Sequence, residues 1–140
     1  MPAAPPPKRD TRYFVFDIES VADGALVSRL RYPEEKLSGP AAIARWRAEL
    51  MAEQGKDFIP YTFQLPVSLV VARVAADYRL IDLAALDEEK SRPHEIVRAF
   101  WDGWRKYGRP CLVTFNGRGF DVPLLELCAF RYGQIGRAHV

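Results

Sequence analysis

Hydrophobic and polar positions along the chain form short β-type runs separated by helical ones. Residues 12–18 (Arg-Tyr-Phe-Val-Phe-Asp-Ile) are aromatic and β-branched, the composition of a buried central strand. Residues 20–39 carry Gly24, Pro33 and Gly39 with little periodicity and read as a loop or irregular insertion. From 40 to 54 the pattern is helical. Ala41, Ile43, Ala44, Trp46, Leu50 and Met51 lie among Arg45, Arg47, Glu49 and Glu53, Pro40 suits the first turn, and Gly55 can end the helix.

Residues 67–75 (Val-Ser-Leu-Val-Val-Ala-Arg-Val-Ala) predict a second strand and 78–83 a third, joined by a tight turn near Ala76-Asp77 into a hairpin. Ser91 and Pro93 then open a helix whose apolar positions Ile96, Val97, Phe100, Trp101, Trp104 and Tyr107 make one buried face. Residues 110–115 (Pro-Cys-Leu-Val-Thr-Phe) predict a fourth strand, apolar apart from Thr114, and a last buried helix runs from about 122 to 132, closed by Gly133. The hairpin implies antiparallel neighbours, and the helix before the fourth strand permits a crossover. The expected fold is α/β, a mixed sheet flanked by helices. Its first and fourth strands should be central, because both are apolar on both faces.

Composition narrows the class. The 140 residues are one domain at most, and 49% hydrophobic with 12% aromatic content suffices for a packed core. A balance of 20 basic against 18 acidic residues gives only +2. That is no strong footprint for nucleic acid, though it leaves room for a local basic rim. Cys111 and Cys128 stand in apolar surroundings without metal-type spacing, so both are expected to be buried, reduced thiols of a cytoplasmic protein. The apolar run 65–76 is broken by Pro66 and Arg73 and is too short to span a bilayer. Residues 1–11 are a proline-rich basic lead-in without an apolar core, expected to be disordered and not a secretory signal. Residues 135–140 read Ile-Gly-Arg-Ala-His-Val, the translation of one frame of a common short-read sequencing adapter whose preceding bases would complete the codon of Gln134. The segment 134–140 is therefore expected to be a technical scar, and His139 is set aside as a catalytic base.

Two acidic clusters carry the chemistry. Asp17 and Glu19 stand at the end of the first strand. Residues two apart on a strand share a face, about 6.5 Å apart along it. Paired carboxylates there repel unless a cation compensates them, and hard oxygen ligands favour Mg²⁺ or Mn²⁺. The alternative is that both simply emerge into solvent. The second cluster, Thr114-Phe115-Asn116-Gly117-Arg118-Gly119-Phe120-Asp121, lies where the fourth strand gives way to a helix. In open α/β sheets ligands gather outside the carboxyl ends of strands. Asp121 would face Asp17 and Glu19 there if the first and fourth strands run parallel as neighbours. The alternative is turn chemistry, with Asn116-Gly117 making the bend and Asp121 capping the helix.

Together these clusters resemble the proofreading-exonuclease superfamily with four catalytic acidic residues, and specifically stand-alone exonucleases similar to the family-B DNA polymerase exonuclease domain. Phe16-Asp17-Ile18-Glu19 looks like the first motif of that family, and Asn116-Gly117-Arg118-Gly119-Phe120-Asp121 with Pro123 and Leu124 looks like its second. The resemblance implies a ribonuclease-H-like fold over residues 12–133 and hydrolysis at a pair of Mg²⁺ or Mn²⁺ ions about 4 Å apart. It implies that Asp17 bridges both metals, that Glu19 serves the water-activating one, and that Asp121 serves the other through its water shell. Asn116, Gly117 and Phe120 would contact substrate, and single-stranded DNA 3′ ends are the expected partner. The third motif of the family, a Tyr or His followed by the last Asp, has no counterpart here; His94 precedes the second motif and is expected on a helix surface. The resemblance therefore implies a partial exonuclease domain, nearly inactive by itself. Arg118 and the aromatics Trp46, Phe58, Tyr61 and Phe63 could contact the strand, with core packing the expected role of the aromatics. The rival readings are a 3′–5′ exoribonuclease and a catalytically silent nucleic-acid-binding domain.

Overall fold

The computed structural model describes residues 10–134; the proline-rich tail 1–9 and residues 135–140, His139 among them, lie outside the described residues. The chain runs as β1 (Thr11–Ala22), α1 (Gly24–Arg31), α2 (Gly39–Gln54), β2 (Gln64–Ala75), β3 (Leu80–Ala85), α3 (Pro93–Lys106), β4 (Cys111–Val113) and α4 (Val122–Arg131). The strands form one mixed sheet in the order β3-β2-β1-β4. β1 is antiparallel to β2 and parallel to β4, and β2–β3 is the antiparallel hairpin. This mixed α/β arrangement is consistent with the ribonuclease-H-like fold.

Strand alternation sets the core. Phe14, Phe16 and Ile18 of β1 point to one face with Leu69 and Val71 of β2, and α3 and α4 close over them through Phe100, Trp101, Leu124 and Leu125. Phe100 packs its ring against Phe16, 4.9 Å between centroids. The wholly buried Trp101 donates its indole N–H to the carbonyl of Leu125 at 3.2 Å. That bond satisfies a polar group that would otherwise be costly to bury, and it locks α4 to α3.

Three expectations need correction. β1 is internal but buries only one face, and β4 lies at the edge of the sheet, not in its centre. Apolar residues on the outward positions, Val15 and Val113, misled the reading; both remain exposed. β4 is also shorter than expected, ending at Val113 and leaving Phe115 94% exposed. Cys111 is consequently exposed on the edge strand, and only Cys128 is buried.

The segment expected to be an irregular loop is ordered. Asp23 caps α1 by accepting from the Leu26 N–H at 3.2 Å, and Ser38 caps α2 by accepting from the Ala41 N–H at 3.3 Å. A Cβ on Gly24 would stand 2.6 Å from the Cα of Gly39. The two glycines thus permit backbone-to-backbone contact between the helices and do not mark a loop. Val27, Tyr32, Ala42, Trp46, Leu50 and Ile59 make a second core. The excursion is tied at its base by the Asp23 N–H donating to the Phe63 carbonyl at 2.7 Å. It is a small helical unit inserted where β1 ends. Among the described residues no helix is long and apolar enough to cross a membrane.

Candidate active site at the carboxyl edge of the sheet

β1 outruns its parallel neighbour. The last pair between them is Val15 with Val113, while β1 continues beside β2, placing Asp17 opposite Val70 and Glu19 opposite Ser68. Both carboxylates are exposed on the face away from α3 and α4. Past Val113 the other chain can no longer pair, and it turns.

That turn is built by its own residues. Asn116 adopts a left-handed backbone at φ 55°, a conformation that asparagine tolerates better than most residues. Its carbonyl accepts from the N–H groups of both Gly119 and Phe120 at 3.1 Å. Residues Gly117–Asp121 then make a wide π-type turn leading directly into α4, a geometry that concentrates at functional positions. A Cβ on Gly117 would collide with the Thr114 γ-methyl, and one on Gly119 would lie 2.7 Å from the Asn116 Oδ1. Gly117 is thus held by close packing within the turn, whereas the Asn116 amide facing Gly119 ends an exposed side chain that can turn away.

The outcome is the placement of Asp121. It stands at the cap position just before α4, yet its side chain makes no capping hydrogen bond; it accepts from the Thr114 hydroxyl. The bland reading of this residue as a helix cap is set aside by that geometry. Asp121 is 6% exposed. Burial pushes its carboxyl above the ordinary 3.8, the Thr114 hydrogen bond pulls it partly back, and the negative charge of Asp17 raises it again. The structure thus brings Asp17 and Asp121 within electrostatic reach, from the two strands that were expected to be parallel neighbours. A family whose sequence model matches residues 56–138 is described as a predicted 3′-5′ exonuclease related to the exonuclease domain of PolB. The chain belongs to this family.

The stretch that matches this PolB-related family takes in the turn and Asp121 and begins after Asp17 and Glu19. No curated protein and no solved structure matches the chain. Among the described residues no three His, Cys, Asp or Glu side chains converge closely enough to cage a metal. The donors present do fit an open site. Mg²⁺ keeps several waters and is commonly held by one or two carboxylates together with substrate phosphate. A buried carboxylate already destabilised by a neighbouring one is where a cation relieves most charge.

The other residues singled out from sequence divide clearly. Asn116 and Arg118 are exposed on the turn. Phe120 is half-buried and packs against Phe58, 5.7 Å between ring centroids. Trp46 is buried and stacks edge-on with Phe63 at 4.7 Å, and Tyr61 packs on the main core. Phe58 alone of that aromatic set is strongly exposed, at 62%. His94 is exposed on α3 with its ring beside Tyr132. Burial pushes the Cys128 thiol up to about 11, so it is inert packing.

Sequence reasoning missed three positioning groups. Thr114 fixes Asp121, and its signal was present as the one polar residue of an otherwise apolar strand. Gln64, buried, accepts from the Ser20 hydroxyl at 3.1 Å and donates to the Ile59 carbonyl at 2.9 Å, stiffening the chain just beyond Glu19. Arg131 at the end of α4 pairs with Asp23 at the start of α1, joining the helical excursion to the helix that carries Asp121. Neither of these last contacts leaves a spacing pattern in the sequence.

Proposed function

We propose that this exonuclease-family chain acts on phosphodiester bonds at the 3′ ends of single-stranded DNA, with Asp17, Glu19 and Asp121 holding Mg²⁺ or Mn²⁺. The observation that carries the reading is the buried Asp121 carboxyl, raised in pKa first by burial and further by the charge of Asp17. A perturbed, buried carboxyl near the carboxyl ends of the strands is what a charge-compensating catalytic site requires. Divalent cations bound there would neutralise the scissile phosphate and lower the pKa of the attacking water. Thr114 occupies the Asp121 Oδ2 and so orients the carboxylate. Asp17 and Glu19 present their charge from an exposed strand face onto which a phosphate can settle without displacing core. Asn116 and Phe120 stand on the turn next to Asp121, where they would hold the terminal nucleotide. The free thiols Cys111 and Cys128 fit a reducing compartment such as the cytoplasm.

The test is hydrolysis of 5′-labelled single-stranded oligonucleotides by the protein translated from the whole gene, with Mg²⁺ or Mn²⁺ and with DNA and RNA arms. Stepwise shortening from the 3′ end that disappears in Asp17→Ala is expected, with DNA the better substrate. Undiminished shortening in Asp17→Ala would refute the assignment of the site, and a preference for RNA would change the substrate.

A further inference from the structure

Of the aromatic side chains in the segment between β1 and β2, Phe58 is the one that the cores do not absorb. It is 62% exposed, and its ring leans on Phe120 at 5.7 Å and an interplanar angle of 57°. Phe120 is the residue immediately before Asp121. An exposed ring therefore leans on a half-buried one that adjoins Asp121 in the chain.

A groove of about 470 Å³ adjoins the acidic edge, within the usual size range of ligand sites. Ser20, the residue after Glu19, lines it together with Ile43, Arg47 and Phe58. Its charged lining residues are Arg47 and Asp57. Neighbouring arginines of the excursion are engaged, Arg31 with Glu49 and Arg45 with Glu35 and Glu49. Arg47 has no ion-pair partner among the described residues. A guanidinium left free in a groove that the exposed Phe58 also lines suits a polyanion whose bases can stack.

We infer that the helical excursion is the strand-binding wall of the site: Phe58 with Phe120 stacks bases of an unpaired nucleic-acid strand, and Arg47 holds its backbone phosphate. This rests on the nuclease reading of the acidic edge and adds the recognition that the edge lacks. Stacking on aromatic faces tolerates any base, so recognition is of single-strandedness and not of sequence. A duplex end cannot insert its bases between side chains without unpairing. The Arg131–Asp23 pair and the Asp23–Phe63 backbone bond hold this wall against α4, so strand position and Asp121 are set by the same contacts.

The experiment is fluorescence anisotropy of labelled oligo-dT and oligo-U binding to the chain in Ca²⁺, with salt titrations. Phe58→Ala should weaken binding of both about five- to hundredfold, the loss of one base–aromatic stack, while Phe58→Trp retains it. Arg47→Gln should reduce the salt slope by about 0.7, the value of one phosphate contact on a single strand. Asp57→Asn should tighten binding. Phe58 and Arg47 are exposed, so these variants should melt like the parent. Binding unchanged in both Phe58→Ala and Arg47→Gln, or no binding by the parent chain, overturns the proposal. A parallel Mn²⁺ melting series separates the two readings. A strand-binding defect without a Mn²⁺ effect removes the metal site and leaves the groove; a Mn²⁺ effect with wild-type binding in both variants removes the groove alone.

Discussion

Burial raises the pKa of Asp121, the carboxyl just before α4, and the negative charge of Asp17 on β1 raises it further. Asp17 lies on β1 beyond its last pair with β4, and Asp121 ends the turn that follows β4. Burial of this carboxyl, with the added repulsion from Asp17, makes the metal-free protein pH-dependent in a specific direction. The folded pKa of Asp121 lies above its unfolded value. Its contribution to stability is therefore present below the unfolded pKa and is lost as pH rises through the folded one. Thermal melting of metal-free protein from about pH 4 upward should show this loss. Asp121→Asn should remove that part of the pH slope and melt higher than the parent at neutral pH. Parallel curves for parent and variant would show that Asp121 carries no such strain.

The turn makes a prediction through its glycine. Gly117→Ala places a methyl against the Thr114 γ-methyl, and overpacking of this kind costs about 1–3 kcal/mol. Thr114→Ser deletes that γ-methyl and keeps the hydroxyl that serves Asp121. The double variant should recover most of the stability lost in Gly117→Ala. Chemical denaturation of the set checks this, and strictly additive losses would place the strain elsewhere.

Gly24 is tested in the same way. Its virtual Cβ meets backbone of Gly39 at 2.6 Å, which no side-chain rotation can relieve. Gly24→Ala should therefore force α1 and α2 apart and destabilise the excursion by about 1–3 kcal/mol. Hydrogen exchange should show protection falling in α1 and α2 before it falls in α3. Unchanged protection in both would contradict the close approach.

Most of the fold was legible because its elements keep a single period. The apolar face of α3, from Ile96 to Trp104, is all buried, and α2 begins within a residue of its expected start and ends at the left-handed Gly55. The hairpin turn falls where expected, although β2 begins at Gln64 and β3 extends to Ala85. α1 was hidden because its eight residues start at Gly24, and a helix that short shows little periodicity; Asp23 as a cap was its one local sign. β4 misled because Val113 is apolar on the outward side, and composition cannot distinguish a covered face from an open one. For the site, spacing alone put Asp17 and Glu19 on one face and Asp121 at a strand end. Their mutual approach depended on the parallel pairing of β1 with β4. Core packing was expected of Phe58 as of its neighbours, and it stays exposed instead; an aromatic in an aperiodic linker has no face until the linker folds.

The central claim is that Asp17, Glu19 and Asp121 form a divalent-cation site, and Mn²⁺ titration monitored by thermal melting tests it most directly. Binding to the native state should raise the melting temperature of the parent chain, equivalent to about 2.7 kcal/mol at a hundredfold excess over Kd. The rise should vanish in Asp17→Asn and in Asp121→Asn. A parent chain whose melting temperature ignores Mn²⁺, or variants that respond as fully as the parent, would contradict the account.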